Sequence, residues 1–172
     1  LNERCESGQQ FSEKEIREAA RSFVGEYRAP YPAFSSKPVL GRPLFHHATD
    51  NTLDDIEIPK TSGRIHRIQF YGARIVSQES LIESVITKKS LLHVDESDPR
   101  PGSGFRKSEI ISRWRSFQLD TPLNFTIVKF RATVSSGTYI RTLAPSIADK
   151  LGTFGLAYSI HRTKIGRFFP VT

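Results

Sequence analysis

The sequence predicts an α+β fold in which helices flank a mostly antiparallel sheet. Residues 125–134 alternate between apolar and polar side chains, as in a strand with one buried face. Residues 140–151 repeat apolar side chains at helical spacing, and an earlier segment opens with a helix start signal at Ser12. A chain of 172 residues is long enough to bury one core. We therefore expect a single domain.

The first helix is predicted from its capping residues. Ser12 is followed three residues later by Glu15, the spacing of a capping box, and Gly25 marks the end of the segment. The apolar stripe consists of Ile16, Ala20 and Phe23.

A proline-rich stretch follows at residues 29–45. Pro30, Pro32, Pro38 and Pro43 exclude a helix there and favour an extended loop. Such a loop can grip RNA, because its aromatic rings stack on bases and its cations meet phosphates. It can equally serve only to cross a surface. A short helix is expected at residues 44–49.

The middle of the chain predicts strands at Ile56–Pro59 and at residues 65–76, then helices at residues 80–92 and 107–117. Residues 95–104 have the composition of a loop. In the second helix Ile110, Trp114 and Phe117 are expected inward, where Trp114 serves either the core or base stacking. Residues 154–169 predict a last strand that pairs back onto the sheet.

Gly137 stands at the turn between the strand ending at Val134 and the last helix, where a residue without Cβ allows a tight reversal. Tyr139 and Arg141 are then displayed at the mouth of this turn, an arrangement that suits a planar or anionic group. An ordinary basic strand end with a core tyrosine explains the same residues. Pro145 either kinks the helix or requires it to start near Thr142.

Charge favours a polyanionic partner. The chain carries +7, and residues 1–60 hold 8 Lys+Arg against 10 Asp+Glu, whereas residues 61–172 hold 17 against 8. Nucleic acid is the commonest partner of such a basic half, although solubility explains a positive surface as well.

Several function classes are excluded or disfavoured. The five histidines share no metal-ligand spacing, and no phosphate-binding or nucleophile-elbow motif occurs. We therefore expect no metal. The single cysteine, Cys5, cannot form an internal disulfide, and no apolar run could span a membrane. The chain contains no methionine, so we expect a piece of a longer protein, unless processing removed the first residue.

Two blocks of sequence resemble a known family. Gly137-Thr-Tyr-Ile-Arg-Thr-Leu, Asp149-Lys-Leu-Gly and Ile160-His-Arg-Thr-Lys-Ile-Gly-Arg-Phe are similar to the C-terminal motifs of TruB-type tRNA pseudouridine synthases. Pro32-Ala-Phe-Ser-Ser-Lys-Pro-Val-Leu-Gly, with Leu44-Phe45 and Ala48, resembles the Pro-Pro-x-Tyr-Ser-Ala-x-Lys-x-x-Gly segment of that family and the Leu-Tyr-x-x-Ala after it. The resemblance covers residues 12–49 and 124–168. Residues 75–122 match nothing in it and are interpreted as an insertion, which suggests a eukaryotic, fungal member.

The resemblance implies a cofactor-free isomerisation of a uridine in the T loop of tRNA to pseudouridine, with the base flipped into the pocket. It implies that Arg141 pairs with a catalytic aspartate, that Tyr139 lines the uracil pocket beside Gly137, and that Ile160 supplies an apolar wall. Lys37 and Arg42 would contact RNA. The expected partner is the T arm of tRNA. The expected protein is a monomer inside the cell, in the nucleus or mitochondrion of a eukaryote.

One departure from the family limits these expectations. The family's Gly-x-Leu-Asp-x-x-Ala-Thr-Gly motif, which carries the catalytic aspartate, does not occur in the 172 residues. Asp54 and Asp55 share only its Leu-Asp and are interpreted as solvated loop carboxylates. The chain is therefore expected to be the C-terminal half of a catalytic domain and inactive alone. The alternative is a non-catalytic RNA-binding protein on the same scaffold, and a further one is a basic domain that binds a protein partner.

Overall fold

The computed structural model describes residues 10–93, 106–117 and 124–169. These residues form two compact units. The first unit comprises Phe11–Gly72 and the chain from Lys129 onward, and the second comprises the described residues of Ala73–Val128. The predicted loop at residues 95–104 lies almost wholly outside the described residues.

The first helix, α1 (Glu13–Arg21), begins with the predicted capping box. The Ser12 hydroxyl accepts a hydrogen bond from the Glu15 N–H at 3.2 Å, and the Ser12 N–H donates to Glu15 Oε2 at 2.8 Å. This arrangement gives partners to backbone N–H groups that the first helical turn cannot satisfy itself. Strand β1 (Gly25–Pro30) starts at Gly25, which adopts a φ of +120°. Glycine reaches this value easily because it has no Cβ.

The proline-rich stretch forms an extended loop, as predicted, with one small hairpin. Its strands are β2 (Pro38–Val39) and β3 (Arg42–Pro43), which pair antiparallel. Helix α2 (Leu44–Thr49) follows directly and confirms the predicted short helix. Leu44 is fully buried.

The predicted strand at Ile56–Pro59 is wrong. A short 3-10 turn at Leu53–Asp55 precedes these four residues, which form no strand. Pro59 has no N–H to offer a ladder, and only its carbonyl is used, accepting from the Tyr31 N–H at 3.0 Å. The strand starts one residue later as β4 (Lys60–Ser77), longer at its start than the predicted 65–76.

The second unit contains two helices that pack against each other, α3 (Gln78–Ser90) and α4 (Lys107–Arg115), both close to the predicted positions. Lys107 Nζ donates to the carbonyls of Ser90 and Leu92 beyond the last turn of α3, at 3.1 and 2.8 Å. Trp114 packs edge-on to Phe117 with ring centroids 5.7 Å apart, which favours the packing role for Trp114. The interpretation of residues 75–122 as an insertion stays a prediction.

The strand predicted at residues 125–134 and the helix predicted after it are confirmed. Strand β5 (Asn124–Val134) leads through a turn into α5 (Ile140–Lys150). The helix starts at Ile140, so the start near Thr142 is wrong and Pro145 lies inside α5. Gly152, at φ +74°, follows the helix as the predicted C-terminal glycine.

The three long strands form one sheet in the order β1-β4-β5. Strands β1 and β4 are antiparallel, with Gly25 opposite Ile65. The end of β5 meets the start of β4, because the Ser135 N–H donates to the Arg64 carbonyl at 2.8 Å. The α+β prediction with an antiparallel sheet is therefore confirmed.

The core of the first unit lies between this sheet and the helices α1 and α5. Tyr27 is its central member: the ring is buried, and the hydroxyl lies 3.1 Å from Thr142 Oγ1 and 3.0 Å from Ser146 Oγ on α5. The buried cluster consists of Ala19, Ala20, Tyr27, Ala29, Ile65, Ile68, Leu143 and Ile147.

The predicted last strand at residues 154–169 is wrong. These residues are largely exposed and hydrogen-bond within the segment instead of to the sheet: Ile165 and Phe168 form an isolated bridge, with N–H to O distances of 2.8 and 2.9 Å. Gly166, at φ +58°, closes the turn between them. The local turn pairs the backbone groups of Ile165 and Phe168 with each other instead of with a strand of the sheet.

The capping box generates a stability prediction. Replacing Ser12 with Ala removes the hydroxyl acceptor, and we expect the free energy of unfolding to fall by about 1 kcal/mol. Urea denaturation at neutral pH measures this, with Ser36→Ala, an exposed loop serine, as the matched control.

The same difference is expected to depend on pH. Hydrogen bonds from the Ser12 side chain and backbone lower the pKa of Glu15 below its ordinary 4.5. A lowered pKa in the folded state contributes stability above the ordinary pKa, and this contribution is lost as the pH falls through the lowered value. The gap between the wild type and Ser12→Ala should narrow in acid, and a constant gap would contradict the role of Glu15.

Candidate functional site

The site is built around the turn between β5 and α5. Gly137 adopts φ +81°, which confirms the predicted need for a residue without Cβ. The Thr138 N–H donates to the Ser135 carbonyl at 3.3 Å, and the two hydroxyls lie 3.1 Å apart. Ser135 Oγ also accepts from the Arg64 N–H at 2.8 Å. The turn is thereby fixed to β4.

A second glycine lets the turn approach the sheet closely. A Cβ at Gly63 would lie 2.2 Å from Thr138 Oγ1 and 3.1 Å from Thr138 Cβ, closer than packed atoms allow. Gly63 does not have a positive φ, so its backbone conformation would accept other residues. Glycine is required because Thr138 leaves no room for a Cβ. This requirement could not be predicted from the sequence, because it depends on an atom 75 residues away.

Tyr139 lies at the start of α5 and faces the proline-rich loop. Its ring packs edge-on to Tyr31, with centroids 5.3 Å apart and planes at 71°. Tyr139 is half-buried. The ring therefore belongs neither wholly to the core nor to open solvent, and the two tyrosines form an aromatic wall that can meet a planar group.

Arg141 follows in the first turn of α5 and is exposed. Its Nη1 donates to the Phe34 carbonyl at 3.3 Å, across 107 residues of sequence. Within residues 10–93, 106–117 and 124–169, no carboxylate lies at ion-pair distance from this guanidinium.

The two loop cations that were singled out differ in their surroundings. Lys37 Nζ lies 5.4 Å from the centroid of the Tyr31 ring, a cation–π contact beside the aromatic wall. Arg42 Nη2 is hydrogen-bonded to Asp50 Oδ2 at 2.7 Å, so an acid already neutralises much of its charge. Lys37 thus lies with Tyr31 at the site, whereas Arg42 is bound to the start of the next loop.

The side chain of His47 supports the proline-rich loop through hydrogen bonds, a role that was not predicted from the sequence. The side chain is buried, with Nε2 3.1 Å from the Val39 carbonyl and Nδ1 3.2 Å from Thr52 Oγ1. A carbonyl only accepts, so Nε2 donates to Val39 and Nδ1 accepts from Thr52. Backbone bonds from Leu44 to Lys37 and from Phe45 to Ser35, at 2.9 and 3.1 Å, complete the support.

Ile160 is not brought into this cluster by any contact in the structure. It lies in the extended segment after α5 and is 52% exposed. Its assignment to the uracil pocket stays a prediction.

Within the described ranges, no carboxylate lies at ion-pair distance from Lys37 or Arg141. Asp54 and Asp55 are exposed on the 3-10 turn, in line with the interpretation as solvated carboxylates. Among the described residues, no group of histidines, cysteines and acids could hold a metal ion. None of the helices in that part of the chain is long and apolar enough to cross a membrane. Two aromatic rings, a lysine and an arginine suit an anionic ligand with a planar ring.

Several known proteins that resemble the chain share one name. A tRNA pseudouridine synthase B from Chloroherpeton thalassium is 26% identical over 95% of the chain and 46% of its own length. The protein of the same name from Clostridium acetobutylicum is 29% identical over 91% of the chain and 36% of its own length. A third, from Hydrogenovibrio crunogenus, is 49% identical over 41 residues. No family model matches the chain.

The predicted resemblance to tRNA pseudouridine synthases is therefore confirmed, and it extends beyond the two motif blocks to nearly the whole chain. The chain spans less than half the length of these first two relatives.

The close approach of Gly63 to the turn generates a second prediction. Gly63→Ala places a methyl group against Thr138, and we expect the free energy of unfolding to fall by about 1–3 kcal/mol from overpacking. Adding Thr138→Ala removes the nearest atom and should restore part of the loss. Urea denaturation of the two single variants and the double variant measures the coupling, and simple additivity would contradict the clash.

Proposed function

We propose that the 172 residues form the arginine-bearing side of the active site of a tRNA pseudouridine synthase that isomerises a T-loop uridine. One observation supports this more than any other. The two motif blocks, about 100 residues apart, meet in the first unit through the bond from Arg141 to the Phe34 carbonyl, beside the ring contact of Tyr139 with Tyr31, the residue before the first block. A chance similarity of two short blocks would not predict that they touch.

Arg141 is proposed to hold the catalytic aspartate ionised and oriented. A guanidinium contacts a carboxylate through charge-assisted, often bidentate hydrogen bonds and stabilises its charged form. Arg141 is exposed and has no acidic partner among the described residues, as this role requires. The bond to the Phe34 carbonyl directs the side chain toward the loop.

The flipped uracil is proposed to lie against the aromatic wall. Tyr139 would line the ring of the base, and Ile160 would supply apolar contact on another side. Gly137 keeps the turn free of a side chain beside the pocket. The edge-on contact with Tyr31 limits the rotation of Tyr139, so the wall is set before the base arrives.

The proline-rich loop is proposed to position the RNA without reading its sequence. Lys37 can meet a phosphate directly, whereas Arg42 must first leave Asp50. We therefore assign Lys37 the larger share of phosphate binding. The proposed partner is the T arm of tRNA, and the proposed enzyme needs no cofactor.

Binding to a T-arm RNA hairpin tests these assignments. We expect Lys37→Ala to weaken binding and to reduce the slope of log affinity against log salt by about one, because one phosphate contact is lost. Arg141→Ala should change affinity little, since its proposed partner is a carboxylate. Asp50→Asn should strengthen binding by releasing Arg42.

The matched control is Lys14→Ala, an exposed lysine on α1 at a distance from the motif blocks in sequence. Equal effects of Lys37→Ala and Lys14→Ala, or no binding of the hairpin at low salt, would overturn the assignment of the loop.

Turnover is a separate prediction. Because the Leu-Asp-x-x-Ala-Thr-Gly motif is absent from the 172 residues, we expect no pseudouridine when they are incubated with unmodified tRNA. Mass spectrometry of the digested tRNA measures the product, with a complete bacterial synthase as positive control. Product formation would mean that another carboxylate in this chain acts as the nucleophile.

The same site also suits a non-catalytic RNA-binding protein, because it combines cations and aromatic rings without a nucleophile. One observation distinguishes the enzyme from the non-catalytic RNA-binding protein. An aspartate motif elsewhere in the same protein favours the enzyme, and its absence from the whole protein favours the binder.

A further inference from the structure

The sheet of the first unit has two faces of opposite character. Its inner face carries the core and faces α1 and α5. Its outer face consists of the exposed side chains that lie between the core residues along the three strands; in β4 two consecutive exposed residues, His66 and Arg67, separate the buried Ile65 and Ile68. Phe70 is on the inner face, because its ring packs edge-on to Phe130 with centroids 5.9 Å apart and the Arg17 guanidinium of α1 lies over it. Successive side chains of a strand point to opposite faces, so the next residue, Tyr71, lies on the outer face.

The outer face is strongly basic. Glu26 is the one acid among the described outer-face residues, and it is paired with Arg28 at 2.7 Å. Exposed cations stand on all three strands. They are Arg28, Lys60, Arg64, Arg67, Lys129 and Arg131.

An aromatic ring lies within this basic surface. Tyr71 is 52% exposed although it lies in a strand, and the Arg131 guanidinium lies 5.3 Å from the centroid of its ring. Because about half of the Tyr71 surface is exposed, its ring can still stack on a second partner besides Arg131. A guanidinium beside it can stack on a base or pair with the phosphate of the next nucleotide.

From these observations we propose that the outer face is a second RNA-binding surface, on which an unpaired base stacks on Tyr71 while Arg131 and its neighbours hold the backbone. Aromatic rings set among cations on an open sheet are the general means by which proteins bind single-stranded RNA. Six cations against one paired acid are complementary to a polyanion and unsuited to an apolar partner.

The centre of this surface is distinct from the uridine site. Tyr71 and Arg131 lie within β4 and β5, whereas the uridine site is made by the turn after β5 and the loop after β1. The proposal shares with the proposed function only the class of ligand, so the two can fail independently.

The test uses a fluorescent single-stranded RNA of about twelve nucleotides, within the usual span of single-strand sites, composed of A and C only. Without uridine, this RNA does not engage the proposed uracil pocket. Tyr71→Phe keeps the ring and should bind within about twofold of the wild type, whereas Tyr71→Ala should bind about tenfold more weakly, the loss of one stacked base.

The electrostatic part is tested by a salt series. Arg131→Gln should lower the slope of log affinity against log salt by about 0.7, the value for one contact to a single strand. The matched control is Arg21→Gln, an exposed arginine in the last turn of α1, which should leave the slope unchanged.

Photocrosslinking supplies a measurement that does not depend on a variant. The same RNA with one 5-iodocytidine should crosslink to the peptide that contains Tyr71. Equal affinities of Tyr71→Ala and Tyr71→Phe, crosslinks confined to other peptides, or no binding at low salt would each overturn the proposal. The single-stranded RNA could bind as expected while Lys37→Ala leaves the affinity for the T-arm hairpin unchanged. That result would support RNA binding at the outer face and would contradict the assignment of the uridine site.

Discussion

The geometry of the first unit depends on the burial of one tyrosine. Tyr27 fills the core between the sheet and the helices, and its hydroxyl meets Thr142 and Ser146 on α5. A buried hydroxyl without partners would be costly, so these contacts fix the distance and the rotation of α5 relative to β1. Arg141 precedes Thr142 directly. The direction of the guanidinium is therefore set from inside the core.

Local signals predicted most of the fold, and long-range pairing accounts for the errors. The capping box at Ser12, the helical spacing after Ile140 and the alternation in β5 each lie within a few residues, and the structure confirms all three. The predicted strands at 56–59 and 154–169 failed, because a strand needs a partner that its own residues do not specify. In the second segment a local turn took that partner's place.

The candidate site shows the same division. Spacing predicted a turn at Gly137 with Tyr139 and Arg141 at its mouth, but nothing in the spacing placed the proline-rich loop against them. The resemblance assigned RNA or substrate contacts to both blocks, and the structure adds that they touch, through the contact between Arg141 and Phe34. His47 and Gly63 were missed, because their roles depend on atoms from distant parts of the chain. Three residues separate Lys37 from Gly41, one more than in the family pattern, so the lysine is matched by position in the loop alone.

Pro145 makes the two ends of α5 differ in their hydrogen bonds. Its ring nitrogen carries no hydrogen for the Arg141 carbonyl, so the helix lacks one backbone hydrogen bond beside the site. At the other end, the Leu151 and Thr153 N–H groups donate to the Ala148 carbonyl at 2.9 and 3.0 Å. The contact of Thr142 with the buried Tyr27 hydroxyl therefore anchors the end of α5 that carries Arg141, where the backbone has one hydrogen bond fewer.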